Sequence, residues 1–213
     1  MKITDACVYP QPSGDSSVRR MALEANELGF DSLIAFDTPA CDYAGVHVAS
    51  GVVVGEIPAQ DIAVRMKRHR ETGAFVSVQA GDNGHNRAVL GMKGIHILCG
   101  IHRTDRHAFD HETAKMAADN GVAIDVSLAP VIRERGMVRQ RALDRYFDLM
   151  LLCRRFEFPL VISTHARSVL EMRSVREFSA LASVIGLDIP DVERALSNAG
   201  RLPLPSSAVK VVQ

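Results

Sequence analysis

His107 and His111 stand four residues apart with Asp110 beside the second, and here residue type and spacing first suggest chemistry. On a helix this spacing puts both imidazoles on one face, where they could share a metal ion. The plainer reading is that Asp110 favours the positive end of a helix and the histidines are polar surface residues. A metal centre in an α/β protein wants a third ligand at a strand end. No Gly-x-Gly-x-x-Gly follows a strand, and there is no P-loop, His-Glu-x-x-His helix or Gly-x-Ser-x-Gly elbow. Cys7, Cys41, Cys99 and Cys153 are scattered without a Cys-x-x-Cys pair. Cys7, Cys99 and Cys153 lie in apolar company and read as buried thiols in a reducing compartment.

The clearer signal is arginine. Residues 133–145 hold Arg133, Arg135, Arg139, Arg141 and Arg145 against Glu134 and Asp144, and Arg167, Arg173 and Arg176 follow with Glu171 among them. Arg141 with Asp144 and Arg145 with Asp148 read as helical i,i+3 pairs on a solvated face. Arg133, Arg135, Arg139, Arg167, Arg173 and Arg176 lie in or beside loops, where guanidinium groups can pair with backbone phosphates without reading a base sequence. Few aromatics accompany them, which argues against stacking on single-stranded bases.

The elements that must position these residues alternate. Strands are expected at 3–8, 32–36, 52–57, 74–78, 94–98, 122–126 and 160–162. Helices are expected at 16–28, 58–72, 85–91, 109–120, 138–156, 174–185 and 188–198. The longest places Leu143, Tyr146, Phe147, Met150 and Cys153 on one face. Residues 37–51 show no period and read as a long loop. Seven or so strands, each followed by a helix, imply a mostly parallel sheet. The count predicts an α/β fold, a TIM-like (β/α) barrel, closed or slightly incomplete, as one domain over 1–201 with a loose tail at 202–213. Chemistry in such a barrel belongs where strands end. Those positions hold Tyr9, Asp37-Thr38, Glu56, Gln79, His96, Ser127 and Ser163-Thr164-His165, a thin and mixed set.

Composition sets the bounds. The chain has 213 residues, 47% apolar and 23% charged, an ordinary globular balance, and 25 basic side chains cancel 25 acidic ones. Any nucleic-acid contact must therefore be local. No apolar run approaches the ~18 residues of a membrane span, and the start reads as no secretory signal, so a cytoplasmic protein with no membrane partner is expected.

Two longer runs carry a resemblance. Phe109-Asp110-His111-Glu112-Thr113-Ala114-Lys115-Met116-Ala117, with Gly121–Val126 and Leu128-Ala129-Pro130 after it, is the first. Phe158-Pro159-Leu160-Val161-Ile162-Ser163-Thr164-His165-Ala166-Arg167-Ser168, continuing through Met172-Arg173-Ser174, is the second. Together they resemble the thirty-kilodalton subunit family of archaeal and eukaryotic ribonuclease P, known in archaea as protein component 3. The resemblance implies a barrel related to the polymerase-and-histidinol-phosphatase (PHP) phosphoesterases. Their His-x-His would fall here at Cys7 and Tyr9, their Asp-His at Asp37-Thr38, and their late Asp-x-His near His165-Ala166-Arg167. Most metal ligands are thus replaced, so neither a metal nor catalytic residues are expected in this chain.

The implied role is a protein subunit of an endoribonuclease that removes the 5′ leader of precursor tRNA, with Mg²⁺ used by the RNA subunit. Implied partners are that RNA, protein component 2 and the other protein subunits, with precursor tRNA met indirectly. Candidate RNA contacts are Lys115, Arg133, Arg135, Arg139, Arg167, Arg173 and Arg176. The candidate partner face is Leu128, Pro130, Val131 and Ile132. Two rivals stand beside this: a degenerate metal-dependent phosphoesterase built from Glu56, His96 and His165, and a protein-interaction scaffold.

Overall fold

Short side chains able to cap a helix recur ahead of the helical stretches, and several start one. Ser17 accepts from the Arg20 amide, Asp82 from that of His85, and Asp188 from that of Asp191. Asp110 with Thr113 and Ser174 with Glu177 form reciprocal capping boxes. A computed structural model describes residues 2–70 and 73–202. The chain runs β1 (Thr4–Val8), α1 (Val18–Glu27), β2 (Ser32–Phe36), β3 (Cys41–Tyr43), β4 (Val46–Val54), α2 (Ala59–Arg70), β5 (Phe75–Gln79), α3 (Asn83–Leu90), β6 (Ile97–Cys99), α4 (His111–Asn120), β7 (Ala123–Ser127), α5 (Ala129–Arg133), α6 (Gly136–Phe156), β8 (Leu160–Ser163), α7 (Val175–Ser183) and α8 (Ile189–Asn198). The last residues of the expected second helix, 71 and 72, and most of the expected tail, 203–213, lie outside the described residues.

Seven strands lie parallel in the order β1-β2-β4-β5-β6-β7-β8, and β3 pairs antiparallel with β4. The ends of the sheet meet at one bridge, Val8 to Ala166, where the Tyr9 amide donates to the Ala166 carbonyl at 2.8 Å. The result is the nearly closed (β/α) barrel that the element spacing implies.

Residues 37–51 are not a loop. Most of them form the β3–β4 hairpin, turned at Ala44 and Gly45, both with positive φ, as a two-residue hairpin turn requires. β4 is nine residues long because its first half pairs with β2 and its second half with β5. Its upstream residues alternate buried Val46 and Val48 with exposed His47, a pattern too short to stand out among glycines. The α6 face also differs from expectation. Ala142, Arg145, Tyr146, Leu149 and Met150 are buried while Phe147 is 51% exposed. The Tyr146 hydroxyl donates to the Ser127 carbonyl at 2.7 Å, and this bond fixes the rotation of the helix.

Two cores result. One lies between sheet and helices and includes Met21, Leu33, Val78, Leu98, Ile124, Tyr146, Ile162 and Phe178. The other fills the barrel with Cys7, Ile34, Phe36, Phe75, Ile97, Cys99, Ala123 and Val161, joined by Ala199 and Leu202. The barrel is a packed interior, not a pore. Among the described residues no helix is long and apolar enough to cross a membrane.

Candidate functional site

Polar side chains replace apolar ones toward the ends of β7 and β8. Asp125 is 1% exposed. One of its carboxylate oxygens accepts from the Ser163 hydroxyl at 2.6 Å, and the other lies 2.7 Å from His165 Nε2. The opposite ring nitrogen, Nδ1, is 3.4 Å from the Cys7 thiol. Asp5, wholly buried, accepts from the Thr164 hydroxyl at 2.6 Å and from the amides of Thr164 and Cys7. Burial raises the Asp5 pKa to about 6, against those hydrogen bonds. Burial also pushes the Cys7 thiol well above the ordinary range, helped by the nearby Asp125 charge. The thiol therefore keeps its proton at neutral pH and can donate to Nδ1, leaving Nε2–H to donate to Asp125. A protonated, buried thiol is a poor nucleophile, and the Cys7–His165–Asp125 chain ties β1, β7 and the segment after β8 together at the barrel mouth.

The mouth is covered from above. Tyr9 stacks on Phe36 with ring centroids 5.4 Å apart, and the Arg167 guanidinium lies 5.2 Å from the Tyr9 centroid. Arg133 donates to the His165 carbonyl at 2.6 Å and pairs with Glu171 at 2.9 Å. Glu171 also accepts from the Arg167 amide.

These residues do not fit the metal set of the PHP phosphoesterases. Tyr9, at one of the ligand positions the resemblance implies, stacks on Phe36 with the Arg167 guanidinium near its ring, and both nitrogens of His165 have protein partners. Among the described residues no group of three or more His, Cys, Asp or Glu could hold an ion.

The degenerate site expected from Glu56, His96 and His165 is not assembled. His96 precedes β6 rather than ending it, and its Nδ1 accepts from the Val76 amide at 3.0 Å near the start of β5. It therefore sits at the opposite end of the barrel from His165. Glu56 is exposed after β4 and lines a cleft with Gln79, Asp82 and Arg103. His107 and His111 flank the Asp110 cap, and the His111 ring lies against Phe156.

The expected RNA contacts separate into groups. Arg133 and Arg167 meet at Glu171, with Arg173 close by in sequence, its guanidinium donating to the carbonyls of Leu170 and Met172. Arg135 is exposed at the start of α6, and Arg139 donates to the Glu134 carbonyl. Arg176 is exposed on α7. Lys115 stands apart, exposed on α4, which packs on α3 and α6.

The expected partner face needs correction. Leu128 and Pro130 are buried, Val131 is 9% exposed, and Ile132 packs against the core. This apolar stretch faces inward because α5 follows β7 directly and folds back onto the barrel. Exposed apolar side chains lie instead at Met137, Val138 and Leu170, at 72, 56 and 83%. Sequence reasoning also missed His102 and Arg103, on a short 3-10 turn after β6. Their place at a strand end is the only signal that could have found them.

The sequence matches the family described as RNase P subunit p30 over residues 2–208. Ribonuclease P protein component 3 of Haloarcula marismortui is 30% identical over 205 residues, covering 92% of this chain and 87% of that protein. Its namesake in Methanosarcina acetivorans is 28% identical over 211 residues, covering 92% and 86%. A chain in the cryo-EM structure of archaeal ribonuclease P with mature tRNA aligns with a TM-score of 0.75 at 16% identity, covering 92% of this chain and 88% of that one. A protein from Listeria monocytogenes described as a histidinol phosphatase aligns at 0.50 with 10% identity, covering 79% and 97%. At such identities the structural likenesses speak for the fold alone.

Proposed function

The chain belongs to the RNase P subunit p30 family, and on that premise we propose that it acts as a non-catalytic protein subunit of ribonuclease P. In this role it supports the catalytic RNA that removes the 5′ leader of precursor tRNA. The observation that carries the reading is the family match across residues 2–208. The chemistry of the barrel mouth agrees with it: both ring nitrogens of His165 have protein partners and the Cys7 thiol is buried with its pKa pushed up, an arrangement poorly suited to nucleophilic attack.

The subunit works beside protein component 2, and the Mg²⁺ ions of the reaction belong to the RNA. Positive charge at Arg133, Arg135, Arg139, Arg167, Arg173 and Arg176 offsets phosphate repulsion where RNA helices approach the protein. A net charge of zero over the whole chain is compatible with this, because screening confines each contact to its own neighbourhood, about 10 Å at 0.1 M salt.

The test is precursor tRNA cleavage at low Mg²⁺ with the cognate catalytic RNA and component 2, with and without this chain. Cleavage should rise at least tenfold when the chain is added, and the proteins without RNA should cleave nothing. Cleavage indifferent to the chain would refute the assignment. Cleavage by the proteins alone would refute the non-catalytic role.

A further inference from the structure

The loop after β6 and the start of α6 enclose a cleft of about 270 Å³ lined by His102, Arg103, Arg133 and Arg141 over an apolar wall of Ala129, Pro130, Val138 and Ala142. Glu134 is the one acidic residue lining it. A larger cleft of about 790 Å³ adjoins it and shares His102, Arg103 and Arg141. These three residues thus form a ridge reached from both sides.

Arg103 and Arg141 are exposed, and among the described residues neither pairs with a carboxylate. The acids beyond the ridge are otherwise engaged. Asp148 is shared by Arg106 and Arg145, Asp144 accepts from Gln140, and Asp105 caps the His107 amide. The helical pair expected between Arg141 and Asp144 does not form, which leaves Arg141 available.

His102 adds selectivity. Its Nδ1 lies 3.0 Å from the Tyr146 hydroxyl, whose single proton is donated to the Ser127 carbonyl. A carbonyl can only accept, so His102 Nδ1 must carry the proton and Nε2 is left as an acceptor. Burial lowers the His102 pKa to about 4, so the ring stays neutral at pH 7 and this arrangement persists. A neutral imidazole acceptor between two guanidinium groups suits a ribose 2′-hydroxyl flanked by phosphates.

We propose that a ribose–phosphate segment of RNA seats across this ridge, its phosphates on Arg103 and Arg141 and a 2′-hydroxyl donating to His102 Nε2. The proposal rests on the reading of the chain as a ribonuclease P subunit and deepens it by naming a contact site. The Arg pair supplies affinity without sequence preference, and His102 distinguishes RNA from DNA.

The test measures binding of the chain, with component 2, to the catalytic RNA and separately to precursor tRNA over a range of salt. Arg103→Ala with Arg141→Ala should weaken binding to one of these RNAs about tenfold at 0.1 M salt. The log–log salt slope should become shallower by roughly 0.7–0.9 per lost phosphate contact. Which RNA responds identifies the occupant. Arg154→Ala with Arg155→Ala, at the far end of the same helix, should leave both quantities unchanged.

His102→Phe should reduce the preference for RNA over DNA of the same sequence while keeping the salt slope. Tyr146→Phe, which keeps the imidazole but removes the hydrogen bond that holds the proton on Nδ1, should reduce that preference in the same direction, again with the salt slope kept. If the parent chain binds RNA and both arginine pairs behave alike, the ridge is wrong and the subunit reading stands. If the parent chain neither binds RNA nor stimulates cleavage, both fail.

Discussion

Asp5 is wholly buried and hydrogen-bonded to Thr164 and Cys7, yet its pKa rises to about 6 from 3.8 because desolvation outweighs those bonds. The folded state therefore holds a proton that the unfolded chain releases between these two values. Stability contributed by this group is full below about pH 4 and is lost as the pH rises through 6, by at most about 3 kcal/mol. Asp5→Asn keeps the shape and removes the titration, and the Thr164 hydroxyl can turn to accept from the amide. Urea unfolding of both proteins between pH 4 and 7.5 should show the parent losing ground to Asp5→Asn as the pH rises. Parallel curves would mean that Asp5 ionises as freely in the fold as in water. At this scale the sequence showed the residue types of the barrel mouth and hid their partners. Asp125 and His165 are 40 residues apart, and only the pairing of β7 with β8 brings them together.

Among the elements, the capped helices were the most legible, because a cap and its amide are local in sequence. Asp110 before the fourth helix and Pro190 near the start of the last are examples. The β3–β4 hairpin was not legible, because β4 owes its length to two different neighbours rather than to its own pattern. Gly51 sits where those two pairings meet. A Cβ there would come within 2.9 Å of both Ile34 Cγ2 and Phe36 Cε1 inside the barrel. Gly51→Ala is expected to cost about 1–3 kcal/mol by overpacking, read as a lower urea midpoint with unchanged m-value. A midpoint equal to the parent's would mean that Phe36 moves aside freely.

For the whole molecule, the weak place in the sheet is the seam between β1 and the segment after β8. The other parallel neighbours share ladders, whereas this seam has the single Val8–Ala166 bridge, supported by the Asp15 amide donating to Arg167. Arg167, Arg133 and Glu171 gather beside this seam. Native-state hydrogen exchange should therefore find the Tyr9 amide less protected than those of the paired β4 and β5 residues. Binding to catalytic RNA should raise that protection if the arginines beside it are engaged. Equal protection at seam and ladder would show the barrel to be closed more firmly than its hydrogen bonds suggest.

By itself the sequence determined the alternation of strands and helices, the barrel and the family, because these follow from local periodicity, from capping and from long runs such as 109–117 and 158–168. Tertiary structure alone decided which residues face each other. It placed His96 at the far end of the barrel from His165, turned Leu128, Pro130 and Val131 inward, and freed Arg141 from Asp144 beside Arg103. These outcomes depend on strand register and helix rotation. Both are set by contacts between segments tens of residues apart, which no local pattern can encode.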